Sequence, residues 1–545
     1  MSQFRSNVAK VLVACSVVLL SLTALQSEVP ETFRNPIISG FHPDPSICRV
    51  GEDYYMVNSS FEWFPCLPIF HSKDLVNWKL IGYGIDRPGQ ADLPEGLPDS
   101  RGMYAPTLRY HDGLFYLICT NVRAGGNFYV TAEDPAGPWS DAVWLGSQGI
   151  DPSLYWEDGK CYYQGHANIT GVADWPNKNG AWMQELDLEQ GKLVGERVQL
   201  THGHATNARW TEGPHLYKIN GKYMLLVAEG GTGYHHGVTV HHSDELWGPY
   251  VPDHVNPVMS HRQLGGEYPI HSVGHADLVQ TQNGEWWSVM LGKRLKNGHT
   301  FLARETFLTP VVFEELEPGY QTPVFNPGEG KLLFEQKRPD LPWSPFPKES
   351  MMDSFFKPEL DLKWNFLRTP MSKWYELIDG SLILDLRPEV ASEFENPSLI
   401  ARRIQHHNFE SKTRLVFSTE KENEHAGMIL YRRSEHYFLL AKEKSSVVLY
   451  RASAGKPEAI ASAPYEAGKV IFWARTEGGQ IQFQYGEEWD EMKPIGEPQD
   501  VAVLSDEAAG GFNGPYIGMY ASSNGEASGS KASFDWFTYL ALEKQ

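Results

Sequence analysis

Asp44, Asp151 and Glu212 each open a segment of shared design, and in each the acid is followed by a turn-prone Pro or Gly. The segments read Asp44-Pro-Ser-Ile-Cys-Arg-Val-Gly-Glu-Asp-Tyr-Tyr, Asp151-Pro-Ser-Leu-Tyr-Trp-Glu-Asp-Gly-Lys-Cys-Tyr-Tyr and Glu212-Gly-Pro-His-Leu-Tyr-Lys-Ile-Asn-Gly-Lys-Tyr. One Asp-Pro pair alone is usually an Asx-turn, and one Glu-Gly a loop edge. Three acids in register resist that explanation, because converging carboxylates repel one another and lose hydration. Such a group suits acid–base work on a glycosidic bond. One carboxylate deprotonates water, a carboxylic acid protonates the leaving oxygen, and a third acid keeps that proton in place. A water fits between the two working groups when they stand about 6.5–9.5 Å apart.

Two further segments extend the pattern, Ala105-Pro-Thr-Leu-Arg-Tyr-His-Asp-Gly-Leu-Phe-Tyr and His275-Ala-Asp-Leu-Val-Gln-Thr-Gln-Asn-Gly-Glu-Trp-Trp. Asp-Gly or Asn-Gly in the middle of most segments signals a tight hairpin, since both turn residues take positive φ. The turn glycines are Gly51, Gly113, Gly159, Gly221 and Gly284, spaced 62, 46, 62 and 63 residues apart. That period fits four strands per unit, and five units predict a five-bladed β-propeller over 34–335. Innermost strands of a propeller line its axis, so the three acids converge at one end of it.

Pro339, Pro342, Pro345 and Pro347 mark a stiff linker at 336–350. Beyond it the repeat stops, and runs such as Gly427-Met-Ile-Leu-Tyr and Phe534-Asp-Trp-Phe-Thr-Tyr predict a β-sandwich over 351–545. The chain is 545 residues long with a net charge of −21 and shows no stripe of Lys and Arg. Nucleic acid and anionic membrane surfaces are therefore excluded as expected partners. Aromatic residues make up 12%, which suits a β-core and ring stacking on sugars alike. Arg5, Lys10 and the apolar run from Val11 to Leu25 predict a signal peptide at 1–27, too short to span a bilayer, and hence export. Cys48, Cys66, Cys119 and Cys161 match no metal or redox spacing and read as buried free thiols.

Five motifs carry a resemblance. Asn35-Pro-Ile-Ile-Ser-Gly-Phe-His-Pro-Asp-Pro-Ser46, Gly102-Met-Tyr-Ala-Pro106, Gly149-Ile-Asp-Pro-Ser153, Trp210-Thr-Glu-Gly-Pro214 and Gly274-His-Ala-Asp277 occur in the order seen in glycoside hydrolase family 43. The chain most resembles the β-xylosidase/α-L-arabinofuranosidase branch with a C-terminal β-sandwich, which implies a sandwich of concanavalin-like jelly-roll type. The resemblance implies an inverting, exo-acting enzyme on oligosaccharide or polysaccharide, releasing terminal β-D-xylosyl or α-L-arabinofuranosyl units without an organic cofactor. It implies Asp44 as general base, Glu212 as general acid, and Asp151 as the residue that raises and orients Glu212. It also implies sugar contacts from Phe61, Thr232, Arg304 and Phe512, and from Tyr104 where relatives carry Trp or Phe. His275 matches an axial histidine that meets a cation or water, so a structural calcium on the axis belongs to the expectation. His235-His236 and His406-His407 read as surface or loop residues. Two rivals stand beside this reading. A carbohydrate-binding propeller without catalysis has no need of three acids, and a retaining invertase-like enzyme opens with Asn-Asp-Pro where this chain has His42-Pro43-Asp44-Pro45.

Overall fold

A computed structural model of the protein describes residues 29–543. The signal segment lies outside the described residues. The hairpin turns form as their residue types demand: Asp112-Gly113, Asp158-Gly159 and Asn220-Gly221 have positive φ at both positions. From each hairpin grows a meander of four antiparallel strands drawn from one continuous stretch of chain.

Five such sheets form the propeller. Blade I runs from Ser46–Val50 to Lys79–Ile85, blade II from Thr107–His111 to Val143–Trp144, and blade III from Ile150–Glu157 to Lys192–Thr201. Blade IV runs from Glu212–Ile219 to Val251–Pro252, and blade V from Ile270–Gln280 to Tyr320–Phe325. No strand is exchanged between blades I and V. The ring closes instead through the segment before blade I, where Asn35 hydrogen-bonds Leu308 and Leu333, and Thr32–Arg34 pairs with Glu335–Lys337.

The second half is a two-sheet sandwich in the concanavalin style. Its eight-stranded sheet does not stop at the linker. Trp63–Phe64, from the blade I hairpin region, pairs with Asn365–Leu367 as that sheet's outermost strand. Trp63 is fully buried and stacks on Tyr516 at 3.6 Å between ring centroids. One apolar cluster runs from Cys66 and Leu117 in the propeller to Leu440 and Phe534 in the sandwich. The two halves therefore share a core, which rigidly seats the sandwich loop 510–514 over blades I and II. Cys48, Cys66, Cys119 and Cys161 are all free.

Candidate active site

The heads of the innermost strands are built to turn side chains toward the axis. Asp44, Asp151 and His275 adopt left-handed backbone with φ of 52°, 53° and 52°. Asp and His tolerate this region better than most residues. In blade IV the left-handed position falls on Gly213 at φ 58°, directly after Glu212. Register shifts between Ile150 and Ser153, Glu212 and His215, and Gly274 and Asp277 put a bulge at the same level of blades III, IV and V. A bulge bends its strand and re-aims the side chain.

The three acids meet there, with relative exposures of 4%, 6% and 9% for Asp44, Asp151 and Glu212. Their partners differ. Asp44 forms an ion pair with Arg304 at 2.7 Å and accepts a short hydrogen bond from Ser59 Oγ. Burial works to raise its pKa, but Arg304, His275 and Ser59 together pull it below the ordinary carboxylate value. Asp151 and Glu212 have no such cation of their own. Burial first, then the Glu212 and Asp44 charges, push Asp151 well up, and only the Gly213 amide and the more distant Arg304 oppose this. Burial and then Asp44 push Glu212 up as well. Burial and mutual repulsion thus favour a proton shared by this pair, beside an Asp44 whose partners favour the ionised form, and the two acids titrate as a unit.

An aromatic wall stands beside Asp44. Phe61 and Phe512 lie 5.8 Å apart at 22° between planes, and Tyr104 is 4.9 Å from Phe61 and 5.8 Å from Phe512. The Arg304 guanidinium carbon sits 5.2 Å from the Phe61 ring centroid and 5.5 Å from that of Phe512. Its second nitrogen donates to the Phe512 carbonyl at 3.0 Å. Tyr104 Oη donates to Ser100 O at 2.9 Å and accepts from Arg101 at 2.7 Å, so its ring is pinned. Thr232 is half-buried on the loop after Lys222–Glu229, where its neighbour Gly231 packs against the ring of Trp210. That loop belongs to blade IV, whereas the rings of the wall come from blades I and II and from the sandwich.

His275 is buried at the same level, and Gly213 makes room for it: a Cβ there would lie 2.9 Å from the imidazole. His236 was not among the expected site residues. It is fully buried, its ring lies against Gly274, and its Nδ1 bonds the Ser272 carbonyl oxygen at 3.0 Å. Burial drives its pKa down to about 3, so it presents a neutral ring near Asp44 and His275. All four of His235, His236, His406 and His407 lie in loops as expected, and His235 is exposed, but His236 and His406 are buried and His407 is half-buried, so the surface half of the reading is corrected. Adjacent histidines on one strand end point in opposite directions, and only packing decides which is inside. Ser59 is a further site residue outside the sequence expectation, although it precedes Phe61 by only two residues.

One layer deeper, the axis carries a different arrangement. Asp277 accepts from Arg109, Ser46, Tyr217 and the Ile47 amide, with Arg109 at 2.8 Å. Arg109 also donates to His215 Nδ1 at 2.9 Å. Calcium takes six to eight oxygen ligands. This deeper layer offers instead a guanidinium, the imidazole of His215 and one carboxylate already engaged. This donor set does not fit a calcium ion.

Comparison with known proteins accords with this geometry. Residues 33–316 match the profile of glycosyl hydrolases family 43, and residues 352–540 match that of the beta xylosidase C-terminal concanavalin A-like domain. The chain belongs to glycosyl hydrolase family 43. It is 42% identical to a xylosidase/arabinosidase of Butyrivibrio fibrisolvens, covering 92% of this chain and 98% of that one. It is 38% identical to the non-reducing end alpha-L-arabinofuranosidase BoGH43B of Bacteroides ovatus, covering 97% and 99%. The crystal structure of a xylan beta-1,4-xylosidase from Bacillus halodurans matches with a TM-score of 0.87 at 35% identity, over 93% of this chain and 100% of that chain. The family 43 chain is accordingly a glycosidase, and the carboxylate layer sits at the mouth of its family propeller. The non-catalytic rival is set aside.

Proposed function

We propose that this family 43 glycosidase removes terminal β-D-xylosyl or α-L-arabinofuranosyl units from hemicellulose or arabinan fragments, by single displacement with inversion. One observation carries the reading: three buried carboxylates meet at one level of one axis, and of these Asp44 is paired with Arg304 and Ser59, which favours its ionised form, while Asp151 and Glu212 are buried beside it in surroundings that favour a retained proton. An inverting glycosidase needs that division. Asp44 takes a proton from water, which attacks the anomeric carbon. Glu212 gives its proton to the departing oxygen, and Asp151, through charge and burial, keeps that proton on Glu212 until it is needed. Arg304 steadies the Asp44 carboxylate. Phe61, Tyr104 and Phe512 wall in one sugar ring, with His275 beneath and Thr232 at the edge. A wall supplied partly by the sandwich closes the pocket behind one terminal unit, which supports exo attack. The two sugars present similar hydroxyl layouts, and the relatives named for each support both.

No resident cofactor takes part in this scheme. The basic start and apolar run of residues 1–27 support export of the mature enzyme.

The test compares hydrolysis of an aryl β-D-xylopyranoside with that of an aryl α-L-arabinofuranoside, with Asp44→Ala as control and the anomer of the first product read by NMR. Cleavage of either, lost in the variant and yielding the inverted anomer, supports the proposal. A retained anomer would overturn the mechanism, and no cleavage of either by folded protein would overturn the sugar assignment.

A further inference from the structure

Glu62 is a fully buried acid that the reaction does not use. It follows Phe61 of the aromatic wall, and its carboxyl group points away from the pocket into the junction of propeller and sandwich. One oxygen accepts a short hydrogen bond from the Asn513 side chain, next to Phe512. The other accepts from the Ser100 amide at 3.1 Å. Ser100 in turn accepts at Oγ from the Phe512 amide at 2.9 Å, and its carbonyl oxygen accepts from Tyr104. Glu62 O also accepts from the Arg368 amide at 2.7 Å. One side chain thus ties together the residues next to, or bonded to, all three aromatic rings of the wall.

The tie continues to the chemistry. Arg304 spans the Phe512 carbonyl and the Asp44 carboxylate, at 3.0 and 2.7 Å. If loop 510–514 drifts, Arg304 loses one of its two anchors and its grip on Asp44 loosens. The contact is too close for slack: a Cβ on Gly511 would lie 2.5 Å from Ser100 Oγ. An apolar residue in place of Glu62 would leave the Asn513 amide and the Ser100 N–H buried without an acceptor, which is costly in a site closed to water.

We propose that Glu62 is a positioning residue for the catalytic site: by holding Asn513 and Ser100 it fixes the sandwich loop against the propeller, and so sets the wall and the Arg304–Asp44 pair. This rests on the reading of Asp44 as general base. Its own surroundings are Asp99, Arg368 and the hydroxyls of Tyr431 and Tyr516. Burial and Asp99 raise its pKa. Asp44 faces Arg304, His275, Ser59 and His236, with Asp151 and Glu212 opposite.

The experiment places Glu62→Ala, Glu62→Gln and Asn513→Ala beside Thr300→Val, which removes a different hydrogen bond of the same junction, that from Thr300 to Glu507. Glu62→Ala and Asn513→Ala should lower kcat/KM on the cleaved aryl glycoside by about ten- to a hundredfold, mostly in kcat. They should also move the acid limb of its pH profile upward by about half a unit or more, because Asp44 loses its cation. Glu62→Gln keeps one acceptor and should recover most of the rate. Thr300→Val should change melting temperature alone. Hydrogen exchange of the peptide holding the Phe512 amide is read in parallel and should quicken in Glu62→Ala but not in Thr300→Val. A lower melting temperature in Glu62→Ala, with rate, pH profile and Phe512 exchange all unmoved, would overturn the proposal and leave Glu62 as junction packing. Should the wild type cleave neither glycoside, the functional reading fails, while the exchange result still decides whether Glu62 holds the loop. If Glu62→Ala does not fold, Asn513→Ala and Glu62→Gln decide it by the same measurements.

Discussion

Two layers of one axis put buried carboxylates to opposite uses. At the mouth, Asp151 and Glu212 sit with Asp44 and keep a proton. Two residues beyond His275 on the innermost strand of blade V, Asp277 is buried as well but accepts from Arg109, Ser46, Tyr217 and a backbone amide, and its pKa falls far below the usual value. Burial is common to both layers and cannot explain the contrast. The supply of donors does: where one carboxylate commands several, it stays charged and binds strands together, and where three share one guanidinium, two of them go without. The propeller thus places a structural clamp directly beneath a reactive centre, built from the same residue type.

The contrast can be broken from either side. Asp44→Ala should cut the rate by about 10⁴-fold on any cleaved substrate while costing less stability than the loss of Asp277, because Arg304 keeps Asp151 and Glu212 as neighbouring acids, checked by steady-state kinetics and calorimetry. Asp277→Ala should do the reverse, leaving Arg109 buried without its partner and costing about 3–5 kcal/mol of stability in denaturant titration. Glu212→Gln sharpens the picture of the mouth. Hydrolysis of a poor leaving group should fall by about a hundredfold more than that of an activated aryl glycoside, which needs little protonation; equal losses on both would remove Glu212 from the acid role.

The layers should also part with pH. Asp277 has a lowered folded pKa, so its stabilisation is complete above the unfolded value of about 4 and disappears as pH falls through the folded one. Asp151 and Glu212 have raised folded values, so their burial weakens the fold as pH rises from about 4 through those values. Stability measured against pH should therefore lose part of its rise below about pH 4 in Asp277→Asn and part of its decline between about pH 4 and pH 8 in Glu212→Gln. The rate should decline on the alkaline side as the pair loses its proton, and on the acid side only below the ordinary Asp range, where Asp44 gains one. The smallest effect belongs to Tyr104→Phe. The ring remains while two peripheral hydrogen bonds go, so kcat/KM should change by about fivefold or less.

Much of this was legible in the chain. Repeated Asp-Gly and Asn-Gly turns at a near-constant period specify hairpins locally, and a five-fold repeat of hairpins leaves few ways to bury their faces. That is why the propeller, and the convergence of Asp44, Asp151 and Glu212 on its axis, could be read before any coordinates. The aromatic positions Phe61, Tyr104 and Phe512 came from motifs that resemble a family, and no period or spacing would have brought Phe512, some 450 residues away, to Phe61. The extension of the sandwich sheet by Trp63–Phe64 had no local signal at all.

What the sequence determined by itself is therefore whatever short-range physics controls: the turns, the strand alternation, the blade count and the acids at the heads of the strands. Tertiary structure alone decided which acids are charged. Asp44 and Asp277 find cations 260 and 168 residues away along the chain, in Arg304 and Arg109. It also decided that His236 is inside while His235 is outside, and that Glu62 meets Asn513. A charge state depends on every donor and charge within a few ångströms, and those neighbours are gathered by the fold from stretches of chain that carry no mark of one another.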